Sequence, residues 1–193
     1  MMWAMFNPII VIIGVNIIIF IAIYISPDLV LKLGLWSPLE TFNQYPWGLV
    51  TSMFVHTQFF HLFANMLTLY FYGNMVLRLV GDRWFLLIYF GGGILGNIFF
   101  VLLETLINPG SLALAIGASG AVFAIGGTLA VMMPNLKVFI FPIPAPMPLW
   151  IAVIGGFVIL SFIPGIAWQA HLGGLLFGVA AGYLLKKRGR YYY

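Results

Sequence analysis

The sequence predicts an all-α membrane protein, a six-transmembrane-helix bundle with a first loop lying at the membrane interface. Three observations predict it. The 193 residues are 63% hydrophobic and only 6% charged, whereas soluble domains carry roughly 25% charged residues. Apolar runs of the length needed to cross ~30 Å of hydrocarbon, about 20 helical residues, recur six times. Finally, the basic residues fall almost wholly on one side of the alternating topology those runs imply. A soluble chain this apolar would lack a polar surface to dissolve it, so the lipid bilayer is the expected environment. No nucleic-acid partner is expected. The length allows one domain over residues 1–193. There is no cysteine, which excludes disulfides and thiol catalysis.

The first predicted span is Pro8–Ile25. Met1 to Pro8 carry no lysine or arginine, and no small-residue cleavage site follows the apolar run, so the segment reads as a retained span rather than a signal peptide. The connection from Ser26 to Ser52 is long for a loop. It holds Leu29-Val30-Leu31, Leu33, Leu35-Trp36 and Tyr45-Pro46-Trp47, which a solvated loop would not need. It reads as partly helical, lying either in the outer interface or packed on the protein's own top surface.

The remaining spans are placed at His56–Leu79, Trp84–Leu103, Leu112–Met133, Pro148–Ile163 and Ala167–Leu185. Each connection carries helix breakers: Ser26-Pro27, Gly81-Asp82, Asn108-Pro109-Gly110, the run Pro142 to Pro148, and Pro164-Gly165. With both termini on one side, that side receives Arg78, Arg83, Lys137, Lys186, Lys187, Arg188 and Arg190, and the other receives Lys32. The positive-inside rule then makes the termini cytoplasmic. The run Lys186-Lys187-Arg188-Gly189-Arg190 reads as a topology anchor, with contact to anionic lipid secondary. With no targeting sequence recognised, a prokaryotic plasma membrane is the expected location. No internal repeat is visible, which leaves an inverted-repeat transporter unsupported.

Polar residues at membrane depth are costly and mark functional candidates. By this topology His56, His61 and His171 fall in the outward half of their spans. Ser119 lies about seven residues, or ~10 Å of helix rise, into the fourth. His61 and Asn65 are four apart and share a helix face, while His56, five before His61, is rotated off it. Metal ligands on a helix would prefer spacings of three or four with a further ligand nearby. The acids on this side, Asp28, Glu40 and Glu104, are assigned to loops, so no metal site is expected.

A serine hydroxyl becomes a nucleophile when a base takes its proton. His171, His56 and His61 are the bases in the same layer. Spans four and six contain no Asp or Glu, so a Ser–His dyad of Ser119 and His171 is inferred rather than a triad. If the helix carrying Ser119 starts near Gly117, the Ser119 N–H lies in its first turn, free to meet a developing oxyanion. Asn65 and His61 offer further donors. Gly117 and Gly120 clear space around the serine. Gly174, Gly178 and Gly182 repeat every four residues below His171, a small-residue face that admits a close helix neighbour. Taken singly, Ser119, the glycine stripe and His61 with Asn65 read equally as packing or inter-helical hydrogen bonding, and His56 as structural or interfacial. Their convergence on one depth favours chemistry.

These residues resemble the rhomboid family of intramembrane serine proteases at three separated places: His56-x4-His61-x3-Asn65, Gly117-x-Ser119-Gly120, and Ala170-His171-x2-Gly174-x3-Gly178. The resemblance runs from about Tyr45 to Gly182. It implies a short fourth helix starting below the outer surface in a water-filled cavity. It also implies Ser119 as nucleophile, His171 as general base, and His61, Asn65 and the Ser119 N–H as the oxyanion hole. The implied activity is cleavage of transmembrane segments of other proteins near their outer ends, without a cofactor. Three positions depart from relatives. Trp47 is followed by Gly48 where many have Trp-Arg, Phe123 stands where some place a tyrosine under the histidine, and Leu77 stands where some have glutamate. Two other readings remain. A non-catalytic relative binding membrane helices in quality control or trafficking would ordinarily have lost Ser119 or His171. A small transporter or proton channel would lack a carboxylate relay.

Overall fold

Asn7 opens the first helix. Its side-chain oxygen accepts the Ile9 N–H at 2.9 Å, and Pro8 takes the first helical position, where its missing N–H costs nothing. Helix α1 (Pro8–Ile25) follows without a break. The structure is a computed structural model describing residues 7–139 and 145–187. Met1 to Phe6, the start of the Pro142 to Pro148 run, and Arg188, Gly189 and Arg190 of the basic anchor lie outside the described residues.

The first loop is partly helical, as its apolar content predicts: α2 (Leu29–Leu33), α3 (Leu39–Phe42), α4 (Gly48–Thr51) and a 3-10 turn, Ser52–Phe54. Its first short helix ends in carbonyls that need partners. Trp36 Nε1 donates to Leu31 O at 2.9 Å, Trp47 Nε1 to Lys32 O at 2.7 Å, and Thr51 Oγ1 to Leu33 O at 2.6 Å. Two indoles and a hydroxyl thus hold the loop. Gly48 is required by closeness: a Cβ there would come within 2.6 Å of the Gly34 carbonyl oxygen. Leu35 and Ser37 are fully buried, so the loop's middle packs on the protein body, while Trp47 and Leu31 stay about half exposed.

One element was not expected in an all-α chain. Strand β1 (Leu35–Ser37) pairs antiparallel with β2 (Ala113–Ala115), Leu35 opposite Ala115 and Ser37 opposite Ala113. This corrects the predicted fourth span. Residues 113–115 form a strand, and helix α6 (Ser119–Met132) starts only after Gly117. The physical reason is the backbone of Gly117, at φ +114°, which cannot continue a right-handed helix.

Helix α5 (Phe59–Ile107) has 49 residues, and unbroken it would be about 73 Å long, more than twice a bilayer core. Gly81, at φ +77° and ψ 169°, breaks it into two arms, 59–80 and 82–107. These are the second and third predicted spans. The second was placed too early: His56 precedes the helix, in the extended segment after Val55 (φ −90°, ψ 124°), and the helix starts after Gln58. Helices α7 (Leu149–Ser161) and α8 (Trp168–Lys187) complete six main helical segments among the described residues, and a two-residue ladder of β3 (Lys137–Val138) with β4 (Met147–Pro148) links α6 to α7. By length and apolarity alone, α1 and α5 are the described helices able to cross a membrane; α6 and α7 are shorter apolar helices.

Helix α6 sits at the centre, buried on nearly every side between α5 and α8. Small residues allow this. A Cβ at Gly92 would overlap that of Ala124, and one at Gly96 would overlap the Ala170 carbonyl. The outer helices turn large apolar side chains outward, Phe60 and Ile159 among them at 80% and 67% exposure. An apolar surface of this extent belongs against an apolar phase.

Candidate active site

Ser119 is the first residue of α6. It is not seven residues into a helix, as the predicted fourth span placed it; the strand and the Gly117 turn take up those residues. Val122 N is the first to bond back along the helix, to Ala118 O at 3.0 Å. The Ser119 N–H therefore belongs to the turn that precedes intrahelical pairing, at the positive end of the helix dipole. The N-cap residue, Ala118, has no side chain able to cap this end.

The turn before Ser119 is held from three directions. Gly117 N–H donates to Ser52 O at 2.9 Å, tying it to the 3-10 turn of the first loop. Ala118 N–H points at His56 Nε2, 3.4 Å away. The His61 ring lies where a side chain on Gly117 would be, since a Cβ there would come within 2.7 Å of Cε1 and 2.8 Å of Nε2. Gly117 is therefore demanded twice, by its positive φ and by its closeness to His61.

His171 lies in the first turn of α8, and its Nε2 is 2.7 Å from Ser119 Oγ. The approach is made possible by the glycine stripe. Cβ atoms at Gly174 and Gly178 would overlap the carbonyls of Gly120 and Ala124, and one at Gly182 would come within 2.8 Å of Thr128 O. The helix that fills the stripe is the serine helix. Phe123 lies under the imidazole with ring centroids 4.7 Å apart and planes at 32°. Imidazole Nδ1 is buried and has no hydrogen-bond partner among the described residues. With the ring proton on Nδ1, Nε2 can accept the serine proton, a geometry suited to general-base activation of a hydroxyl.

Asn65 and His61 stand four apart in α5, and the His61 ring adjoins the turn. The Asn65 amide is buried, and one of its N–H bonds goes to the His61 carbonyl at 2.9 Å, leaving the other free for a ligand. His56 is fully buried, with its ring 4.8 Å from that of His61. The helical spacing argument separated these two histidines; extended backbone at 55–58 brings them together.

Four participants escaped the sequence reading. Asn97, in the second arm of α5, donates through Nδ2 to Ser52 Oγ at 2.9 Å and to Leu49 O at 2.8 Å. It thereby supports Ser52, which holds Gly117. Glu104 and Gln169 form a hydrogen bond of 2.6 Å between the end of α5 and the first turn of α8. The signal that singled out Ser119, a polar side chain in an apolar run, was also present at Asn97 and Gln169.

Residues 43–188 match the rhomboid domain. The chain belongs to the rhomboid family. It is 33% identical over 148 residues to the putative rhomboid protease YdcA of Bacillus subtilis, covering 75% of this chain and 71% of that protein. It is 34% identical over 148 residues to the rhomboid protease GluP of the same organism, covering 75% of this chain and 27% of that one. Rhomboid protein 1, mitochondrial, of Saccharomyces cerevisiae is 29% identical over 154 residues, 72% of this chain and 42% of its own length. This rhomboid chain therefore spans less than half the length of the yeast relative. The family is integral to membranes and typically comprises serine-type intramembrane proteases.

Proposed function

We propose that this rhomboid is an intramembrane serine endopeptidase, a single domain that hydrolyses peptide bonds in or near transmembrane segments of other membrane proteins. The observation that carries the reading is the 2.7 Å approach of Ser119 Oγ to His171 Nε2 at the start of two closely packed helices. Ser119 attacks the substrate carbonyl as His171 takes its proton. The oxyanion is met by the Ser119 N–H, His61 and the second amide hydrogen of Asn65. His171 then returns the proton to the leaving amine, and a water activated in the same way releases the acyl group. The bond attacked must first leave its helix, because a helical backbone is sterically closed and an unwound one is costly in lipid.

The six helical segments are six crossings in this reading, with α6, 14 residues and about 21 Å, the shortest route but for α7. The termini face the cytoplasm, the site opens toward the outer side of a plasma membrane, and the first loop lies in the outer interface. The substrate enters sideways between the first arm of α5 and α7, a helix that packs only lightly on α6 and α8.

The test is cleavage of a model transmembrane substrate in proteoliposomes. Ser119→Ala and His171→Ala are expected to abolish it with the fold retained, and a fluorophosphonate probe is expected to label wild-type Ser119. Full activity of Ser119→Ala would overturn the mechanism.

A further inference from the structure

The second arm of α5 carries three polar side chains near one helix face: Asn97, Glu104 and Thr105. Glu104 stands seven residues after Asn97, close to two whole turns, and Thr105 one residue further, about 80° around the helix. Each reaches a different part of the site's surroundings. Asn97 holds the turn at Ser52. Thr105 Oγ1 accepts the Leu39 N–H at 3.2 Å and lies 3.4 Å from Ser37 Oγ, securing the first loop. Glu104 reaches α8, where Gln169 Nε2 donates to its Oε2 at 2.6 Å, while Asn108 Nδ2 donates to Oε1 at 2.8 Å. Both carboxylate oxygens are thus engaged, and Gln169 is 4% exposed.

Gln169 stands two residues before His171. On a helix that places the two side chains about 200° apart, on opposite flanks of the first turn of α8. One flank presents the imidazole to Ser119, and the other is fastened to Glu104. Besides the close packing of Ala170 O on Gly96 and of Gly174 on Gly120, this first turn has few backbone hydrogen bonds. Ala170 N–H and His171 N–H both bond to Ala167 O, at 3.0 and 3.4 Å, the second of them long. A carboxylate at this end also complements the helix dipole.

We propose that Glu104 and Gln169 are positioning residues for His171: their hydrogen bond clamps the first turn of α8 so that the imidazole stays in reach of Ser119. The inference rests on the proteolytic reading of the site, but the clamp has a consequence independent of it. Holding a reacting pair in register matters because displacement of about 1 Å can cost ~10² in rate.

The experiment compares wild type, Glu104→Leu, Gln169→Leu and the double exchange Glu104→Gln/Gln169→Glu. In the exchanged protein the amide now at position 104 would donate to the carboxylate now at position 169 and still accept from Asn108. Two measurements are made on each: steady-state cleavage of a model transmembrane substrate, and hydrogen exchange of the 166–174 amides by mass spectrometry. Each single leucine variant is expected to lower kcat roughly 10–100-fold with KM within about twofold, and to speed exchange in the first turn of α8 alone. The exchanged pair is expected to recover kcat to within about threefold of wild type and to restore protection. Unchanged exchange at 166–174 in both leucine variants would overturn the clamp, as would failure of the exchanged pair to recover either readout. If wild type itself neither cleaves substrate nor labels with a fluorophosphonate, the proteolytic reading falls, and the exchange data still judge the clamp.

Discussion

Gly174 and Gly120 meet backbone to backbone, so closely that a Cβ on Gly174 would overlap the Gly120 carbonyl. Each neighbours one member of the Ser119–His171 pair: Gly120 follows the serine, and Gly174 lies three residues after the histidine on the same helix. The separation of two helices is therefore set within one turn of the hydrogen bond that the chemistry requires.

Gly174→Ala should consequently push α8 away from α6 at that turn. Overpacking typically costs about 1–3 kcal/mol, read here as a lower unfolding midpoint in detergent. Cleavage should fall by ~10² or more, since the displacement acts directly on the reacting pair. Gly14 of α1, where a Cβ would meet only open space, provides the control: Gly14→Ala should leave cleavage within about twofold. A Gly174→Ala protein as active as wild type would show that the close contact is not what sets the pair.

Gly117→Ala should be harsher than its size implies. A backbone at φ +114° is strained for any L side chain, costing about 1–3 kcal/mol, and the new methyl would meet the His61 ring. Loss of fluorophosphonate labelling at Ser119, with circular dichroism still helical, is the expected result.

Asn97→Leu should loosen the turn from a distance. It removes the donor to Ser52 Oγ and to Leu49 O, two acceptors in buried and part-buried settings. An unsatisfied buried polar group costs about 1–3 kcal/mol, so the unfolding midpoint should drop measurably. Ser52→Ala should cost less than Asn97→Leu, because the Gly117 N–H bonds to the Ser52 backbone oxygen, which the alanine keeps. The opposite ranking in thermal unfolding would refute this relay.

Phe123 supports the imidazole face and also touches Phe157 of α7, ring centroids 6.1 Å apart. Phe123→Ala should therefore free the His171 ring and lower kcat by about 10-fold. Because the residue is only half-buried, its stability cost should fall at or below the low end of the ~3–5 kcal/mol seen for Phe→Ala. Phe123→Tyr should stay near wild type in both, since the ring contact survives.

Much of the site was legible because its residues break the pattern around them. Ser119, His171, His61 and Asn65 are polar in apolar runs, and Gly174, Gly178 and Gly182 keep a four-residue period that a helix face reads directly. Gly81 and Pro-containing connections marked breaks. Other features were illegible for definite reasons. Residues 112–118 are as apolar as a span, so composition cannot distinguish a helix from the strand that pairs with Leu35–Ser37. His56 was assigned a helical phase, though Val55 begins an extended link, and its contact with His61 depends on that link. The carbonyl caps from Trp36, Trp47 and Thr51 join residues whose nearness is a matter of loop path.

The sequence by itself determined the membrane character, the helical segments, the family and the candidate nucleophile and base, because hydropathy, helical period and short polar motifs are local properties of a chain. Only the tertiary structure decided where the serine helix begins, which helix fills the glycine stripe, and how the turn before Ser119 is held through Ser52 and Asn97. Those depend on backbone groups from distant segments finding hydrogen-bond partners and on helices touching where neither has a side chain. Such pairings connect residues 45 to 65 positions apart, and they are set by packing in three dimensions rather than by any local pattern.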